Sequence, residues 1–287
     1  AVIPPPAAAT VLVVDNDLEF SGGGVDTVPS IVSALQRLGV DYAIWSSDAL
    51  AGAAQTWPSA ATLSGYRAIV WTLGEKRSPD GTFATSTPPT ARDQQALMSY
   101  LDGGGRLLVM GQNVASATDI NPDPDPVWGR STLYRHYLGA HLLQDNVFAP
   151  TGAPPETVAV SGLPGTLLQG VLLDLGPLGN GAGNQHSIDE LGMGGTPAGD
   201  VLVKSVAAAS GDGMMGAGFV MLAKTDEPAL EKTTPDVLYR VLHQSFGQEG
   251  VNDKPEVTYA HELLDRQLDW LLDEITVTVA SEFVGGP

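Results

Sequence analysis

The stretch Thr10–Asp15 reads TVLVVD, and it indicates the class of fold that the rest of the chain completes. It is a short run of apolar, mostly β-branched residues that ends at an acidic residue, a pattern typical of a strand buried on both faces of a parallel sheet. Three similar runs follow it along the chain: Asp41–Trp45, Tyr66–Thr72 and Arg106–Gly111. Because helical patterns separate these runs, we expect a doubly wound α/β domain with a mainly parallel sheet.

Three segments predict the helices that connect and flank these strands. Thr27–Leu38 carries apolar residues at helical spacing and is followed by Gly39, a residue that commonly ends helices. Pro89–Leu101 precedes the run at Arg106, and His261–Asp273 is amphipathic. Right-handed crossovers between parallel strands predict helices on both faces of the sheet.

The middle and the ends of the chain depart from this pattern. Residues 115–198 are rich in Pro, Gly and Asp, and we interpret them as a long irregular insertion in an α/β domain that spans residues 10–274. Doubly wound features are expected to return after it, with strands at Asp200–Ser205, Ala217–Leu222 and Tyr239–Ser245. Residues 1–9 predict an extended proline-rich arm, and residues 275–287 a C-terminal extra strand and tail. Such ends can pair with a neighbouring subunit, so we expect a homo-oligomer or filament.

Composition narrows the classes of partner. The 287 residues include 33 acidic and 14 basic side chains, for a formal net charge of −19, and no cysteine. A strongly negative field disfavours nucleic acid and anionic membranes as partners. No apolar run is long enough to span a membrane. The absence of cysteine fits an exported bacterial protein, and we expect an extracellular or cell-surface location.

Several longer motifs, in this order along the chain, suggest a family. They are VLVVDND at Val11–Asp17, LSGYRAIVWTLG at Leu63–Gly74, LMSYLDGGGRLLVMGQN at Leu97–Asn113, SFGQEGV at Ser245–Val251 and LLDRQLDWLLD at Leu263–Asp273. Together they resemble the class I glutamine-amidotransferase-like, flavodoxin-like domain found beside secreted bacterial subtilisin-like and immune-inhibitor-type peptidases. The resemblance implies a flavodoxin-like fold and, as a partner, a peptidase domain of the same precursor.

The resemblance also assigns catalytic positions, and this chain fills them with other residues. The family places a cysteine nucleophile after a central strand, where this chain has Gln112 and Asn113. It places a histidine and a glutamate in a His-x-Glu motif, where this chain has Gly247 and Glu249. Neither amide is a practical nucleophile, and the base is missing. We therefore expect a site without chemistry, in which Glu249 hydrogen-bonds nearby backbone.

Acidic loops offer a different kind of site. Oxygen ligands at alternate positions could hold Ca²⁺, although no cofactor is required by the fold. The first group follows the first strand and consists of Asp15, Asp17 and Glu19, and the second lies in DINPDPDP and consists of Asp119, Asp123 and Asp125. The alternative for the first group is an acidic turn that caps a helix and accepts from backbone N–H groups; for the second it is a solvated loop.

Three functions remain open on the sequence alone. The leading hypothesis is a non-catalytic extracellular structural or interaction module that assembles through its terminal arms. An accessory domain that binds substrate or a surface for a secreted peptidase is an alternative. So is a hydrolase or amidase that uses an unrecognised acidic site. The glycine-rich stretch Gly179–Asn184 predicts a tight or flexible turn rather than a phosphate-binding loop.

Overall fold

A computed structural model describes residues 9–17, 25–46, 57–75, 91–112, 140–144, 158–162, 167–176, 180–185, 188–193, 203–209, 218–225 and 239–273, together with residues 114, 133, 137, 138 and 164. The predicted C-terminal strand and nearly all of the predicted N-terminal arm lie outside these ranges. The helices are α1 Val28–Leu38, α2 Ala60–Leu63, α3 Ala91–Asp102 and α4 Ala260–Leu272. The strands are β1 Val11–Asp15, β2 Tyr42–Ser46, β3 Ala68–Glu75, β4 Arg106–Gln112, β5 Ala140–Gln144, β6 Val158–Gly162, β7 Leu172–Leu175, β8 Glu190–Met193, β9 Val203–Ala209, β10 Gly218–Thr225 and β11 Arg240–Gln244.

Within the described ranges, five strands form a parallel sheet in the order β2–β1–β3–β4–β11. This is the flavodoxin-like order of doubly wound proteins. The first strand lies inside the sheet, where Val13 is paired with Ile44 on one side and Val70 on the other. The predicted fold class is confirmed, and the central place of β1 explains why its sequence is apolar at consecutive positions.

Helices cover both faces of the parallel strands. Val11 and Val13 belong to an apolar cluster that includes residues of α1 and α4. Leu12 and Val14 belong to a second cluster with residues of α2 and α3. Successive side chains of a strand point to opposite faces, so β1 connects the two cores. The helix α1 ends at Gly39, whose left-handed backbone (φ 67°) allows its N–H to bond Gln36.

The sheet continues beyond β11 with strands of a different kind. Described strands β10, β9, β6 and β7 follow β11 in that order, and each pairs antiparallel to its neighbour. The strands expected after residue 198 are present, but only β11 runs parallel. Residues 210–217, which link β9 to β10, are too few for the crossover that a parallel pair requires. Strands β6 and β7 come from the predicted insertion and extend the main sheet.

The insertion also contributes a small sheet of its own. Described strands β5 and β8 pair antiparallel, with Leu142 opposite Leu191. A third apolar cluster, which includes Val160, Leu173 and Phe246, joins the insertion to the residues after β11. The described residues of the insertion in this cluster are therefore packed against the rest of the domain. No helix in the described part of the chain is long and apolar enough to cross a membrane.

Candidate functional site

The carboxyl ends of β1, β3, β4 and β11 place the predicted catalytic positions at one edge of the sheet. We call this region the carboxyl edge. Open α/β sheets bind ligands at such an edge, where the strand order reverses. Here Gln112 ends β4, Asp17 follows β1, and Gly247 and Glu249 follow β11. The carboxylate of Asp17 also acts electrostatically on Glu249, so these residues share one environment.

Gln112 occupies the nucleophile position predicted from the resemblance, and it is 1% exposed. Its amide Nε2 donates to the backbone oxygen of Asn184 at 2.8 Å. The preceding Gly111 has a φ of 139°, and a Cβ there would lie 3.0 Å from the backbone nitrogen and oxygen of Gly74. The strand therefore ends in a close backbone crossing that holds an amide side chain. Asn113 lies outside the described residues.

Glu249 lies in a short 3₁₀ turn, Gln248–Gly250, directly after Gly247. Its Oε1 accepts from Asn184 Nδ2 at 2.9 Å and from Gln185 Nε2 at 3.0 Å. Gly247 N–H donates to Gln185 Oε1 at 3.1 Å. We expected backbone partners for Glu249, and its own backbone does contribute. The two side-chain amides are the partners that sequence reasoning missed.

The buried carboxyl of Glu249 has a perturbed acidity. Its pKa is raised, first by burial and also by the charge of Asp17, while the amide donors Asn184 and Gln185 act in the opposite direction. Its second oxygen, Oε2, is buried and has no hydrogen-bond partner among the described residues. A raised pKa favours the neutral carboxyl, which needs fewer donors than a carboxylate.

The insertion supplies the cover of the carboxyl edge through the turn at residues 180–185. Ala182 N–H donates to Glu249 O at 2.7 Å, and Gly181 N–H donates to Asn252 Oδ1 at 2.7 Å. A Cβ on Gly250 would lie 2.4 Å from Gln185 Cγ, so the two segments are in close contact. This stretch was predicted as a tight or flexible turn. Within this turn, the adjacent polar residues Asn184 and Gln185 were the local sign that it forms further hydrogen bonds.

Asp17, which follows β1, fixes the start of helix α1. Asp17 Oδ2 accepts from Thr27 N at 2.7 Å and from Thr27 Oγ1 at 2.8 Å. Thr27 Oγ1 lies 2.6 Å from Thr72 Oγ1, which joins β1, α1 and β3. These hydrogen bonds match the alternative to a calcium site, an acidic turn that caps a helix and accepts from backbone N–H groups. Asp15 ends β1.

The remaining predicted calcium ligands, Glu19, Asp119, Asp123 and Asp125, lie outside the described residues. Within the described ranges no three acidic or histidine side chains are grouped closely enough to hold a metal ion. Calcium binding therefore stays a prediction.

A cleft of about 220 Å³ opens beside the carboxyl edge, between α1 and the start of α4. Glu249, Arg37, Asp253 and His261 are among its lining residues. Arg37 Nη1 lies 4.0 Å from Asp253 Oδ2 and 3.3 Å from His261 Nδ1. The cleft is polar, but Oε2 of Glu249 is buried away from it.

No protein-family model matches the sequence, and no curated protein is detectably similar to it. Among solved structures, an exo-β-1,4-mannosidase from Opitutaceae bacterium strain TAV5 is 14% identical with a TM-score of 0.41, over 91% of this chain and 34% of the mannosidase. The chain thus spans about a third of that enzyme. A cytoplasmic protein from Salmonella typhimurium is 10% identical with a TM-score of 0.48, over 92% of this chain and 99% of that protein.

Proposed function

We propose that this chain is a non-catalytic interaction module, built on an amidotransferase-like scaffold, that acts outside the cell. The observation that carries the proposal is the position of the Glu249 carboxyl group. A Cβ on residue 247 would lie 2.1 Å from both of its oxygens, so the carboxyl fills the space that a histidine at this position needs. With Gln112 in place of a nucleophile, neither covalent attack nor base catalysis of the amidotransferase type is available.

The cover over the carboxyl edge supports the same proposal. Asn184 and Gln185 are each 4% exposed; both donate to Glu249, and Asn184 O also accepts from Gln112. An enzyme of this class needs an opening at this edge for its substrate, whereas these side chains are fully engaged with one another. Buried hydrogen bonds of this kind hold the two segments together and rigidify a domain.

As its partners we propose further copies of the same chain, in an oligomer or filament, with a peptidase of the same precursor as the second candidate. The predicted terminal arms support assembly, and the net charge of −19 favours contacts through specific surfaces over nonspecific association. Light scattering coupled to size-exclusion chromatography tests this. A mass that rises with concentration supports self-assembly, and a monomer at every concentration overturns it.

A hydrolase with an acidic site is the second candidate function, favoured by the raised pKa of Glu249 beside the 220 Å³ cleft. Buried carboxyl groups with raised pKa can act as general acids. A screen of amide, ester and glycoside substrates separates the two functions. Turnover by the wild-type chain that is lost in Glu249→Gln supports the hydrolase, and a blank screen for both supports the interaction module.

A further inference from the structure

Three arginines lie together at the opposite end of the sheet from the carboxyl edge. Arg106 is the first residue of β4, Arg240 is the first residue of β11, and the two are paired in register. Arg67 immediately precedes β3, the neighbour of β4 on its other side. Adjacent strands are about 4.8 Å apart, so three positive charges begin three neighbouring strands. In a chain with 14 basic residues and a net charge of −19, this is a local reversal of charge.

Two of these arginines are held by the end of helix α4. Arg67 Nη2 donates to Leu272 O at 3.2 Å, and Arg240 donates to Trp270 O. The guanidinium of Arg240 also lies 5.1 Å from the centre of the Trp270 ring. Carbonyl groups at a helix C-terminus favour cations, so these contacts offset part of the repulsion.

Arg106 differs from both. Its backbone N–H donates to Tyr100 Oη at 2.9 Å, which fixes the start of β4. Its guanidinium Nη1 is buried and has no hydrogen-bond partner among the described residues. Burial and the charges of Arg240 and Arg67 all lower its pKa, so the side chain is held where its charge is disfavoured.

An open cleft of about 290 Å³ adjoins these side chains, and we call it the arginine cleft. Its lining residues include Arg67, Arg106, the turn Gly103–Gly105, Leu272 and Asp273. Among the lining residues, the positive charges of Arg67 and Arg106 outnumber the one negative charge of Asp273. Arg240 is nearby. The volume suits a small molecule rather than a folded partner.

We propose that the arginine cleft binds a small molecule through a carboxylate or phosphate group, held between Arg67 and Arg106. Planar guanidinium groups bond carboxylate and phosphate groups in pairs, and Arg67 and Arg106 both line the cleft. It also neutralises the mutual repulsion of the three arginines. The site is independent of the carboxyl edge and of the proposed function.

Thermal unfolding and calorimetric titration of the full chain test the proposal, with inorganic phosphate and citrate as probes and sodium chloride of equal ionic strength as reference. Wild-type protein is expected to bind a probe saturably, with a melting temperature that rises with probe concentration. Arg106→Gln should weaken binding at least about tenfold, the loss expected for a charge-assisted hydrogen bond of about 1.5 kcal/mol or more. Asp273→Asn should strengthen it by removing a negative charge from the lining.

Arg266→Gln is the matched control, because Arg266 is exposed and bonds Gln169 O outside the cleft. It should bind the probes as the wild type does. A Glu274→Gln/Glu282→Gln variant distinguishes a free anion from a carboxylate of the chain's own last residues: binding that appears only in this variant assigns the oxyanion to the chain itself. Failure to bind in every variant, or equal binding by wild type and Arg106→Gln, overturns the proposal.

Discussion

The carboxyl group of Glu249 lies against Gly247, and both of its oxygens are 2.1 Å from the position that a Cβ on residue 247 would take. The glycine and the glutamate are therefore coupled: a side chain at residue 247 requires the carboxyl to leave its amide partners. The carboxyl group therefore fills the space beside residue 247 at the edge of the sheet.

Replacing Gly247 with alanine should destabilise the protein by about 1–3 kcal/mol, the cost of separating a buried polar group from its hydrogen-bond partners. The same substitution should cost much less in a Glu249→Ala background, because the obstructing carboxyl is gone. Urea unfolding of the four proteins in this double-mutant cycle measures the coupling free energy. Additive effects of the two substitutions would contradict the contact.

Glu249→Gln should change how stability depends on pH. Because the folded-state pKa of Glu249 is raised, its contribution to stability is fully present below the unfolded value of about 4.3 and is lost as pH rises through the folded value. The glutamine variant does not ionise, so its free energy of unfolding should rise relative to that of the wild type as pH increases from acidic to neutral. Chemical unfolding at a series of pH values measures the free energy of unfolding of the variant minus that of the wild type, and a difference that stays constant or falls as pH rises would refute the assignment.

His243 predicts a dependence of the opposite kind. It is fully buried on β11, and burial lowers its pKa to about 3. The unfolded chain takes up a proton near pH 6.5, so stability is intact above that pH and falls between 6.5 and 3, by up to about 1.4 kcal/mol per pH unit. His243→Gln and His243→Phe should both flatten this slope relative to wild type. A wild-type slope in both variants would show that His243 is not its source.

Thr27 joins three elements through one hydroxyl group. Its Oγ1 donates to Asp17 Oδ2 at 2.8 Å and lies 2.6 Å from Thr72 Oγ1, in a buried setting. Thr27→Val should cost about 1–3 kcal/mol because it leaves both partners short of a bond. Thr27→Ser keeps the hydroxyl and should cost less. Urea unfolding compares the two, and a loss in Thr27→Val no larger than the loss in Thr27→Ser would show that the hydroxyl group is not the main contribution.

Calcium binding can be tested by melting the protein with Ca²⁺ and with a chelator. If Asp119, Asp123 and Asp125 ligate the ion, Ca²⁺ should raise the melting temperature, and Asp123→Asn/Asp125→Asn should abolish the rise. Asp17→Asn is the companion variant for the first acidic group, in which Asp17 already accepts a hydrogen bond from Thr27 N. Equal melting temperatures with ion and chelator would remove calcium from consideration.

The parallel strands were predictable because their signals are local. Val11–Val14 are apolar at consecutive positions since β1 is covered on both faces, and Gln112 ends a strand that the sequence pattern indicates, as Gly247 follows another. The partners of Glu249 were not predictable. Asn184 and Gln185 reach it across 65 and 64 residues of chain, and no local pattern encodes that contact.

For a related reason, the directions and neighbours of the strands beyond β11 were not predictable. An apolar run indicates a strand, but its neighbour and direction depend on the length of the connection and on the surface available for pairing. Val160 of β6 is buried and pairs with Ala208 of β9, and no local pattern specifies that pairing. The sheet therefore extends into a region that composition alone describes as irregular.

The placement of the insertion has a consequence for the order in which the domain folds. Strand β11 pairs with β4 only after roughly 130 residues of intervening chain, and contacts that close such long loops form slowly. The equilibrium cost is small, since the entropy of loop closure grows only with the logarithm of length. During synthesis on a ribosome, β1 to β4 emerge well before β11. The edge of β4, which carries Gln112, therefore stays unpaired until β11 has been made.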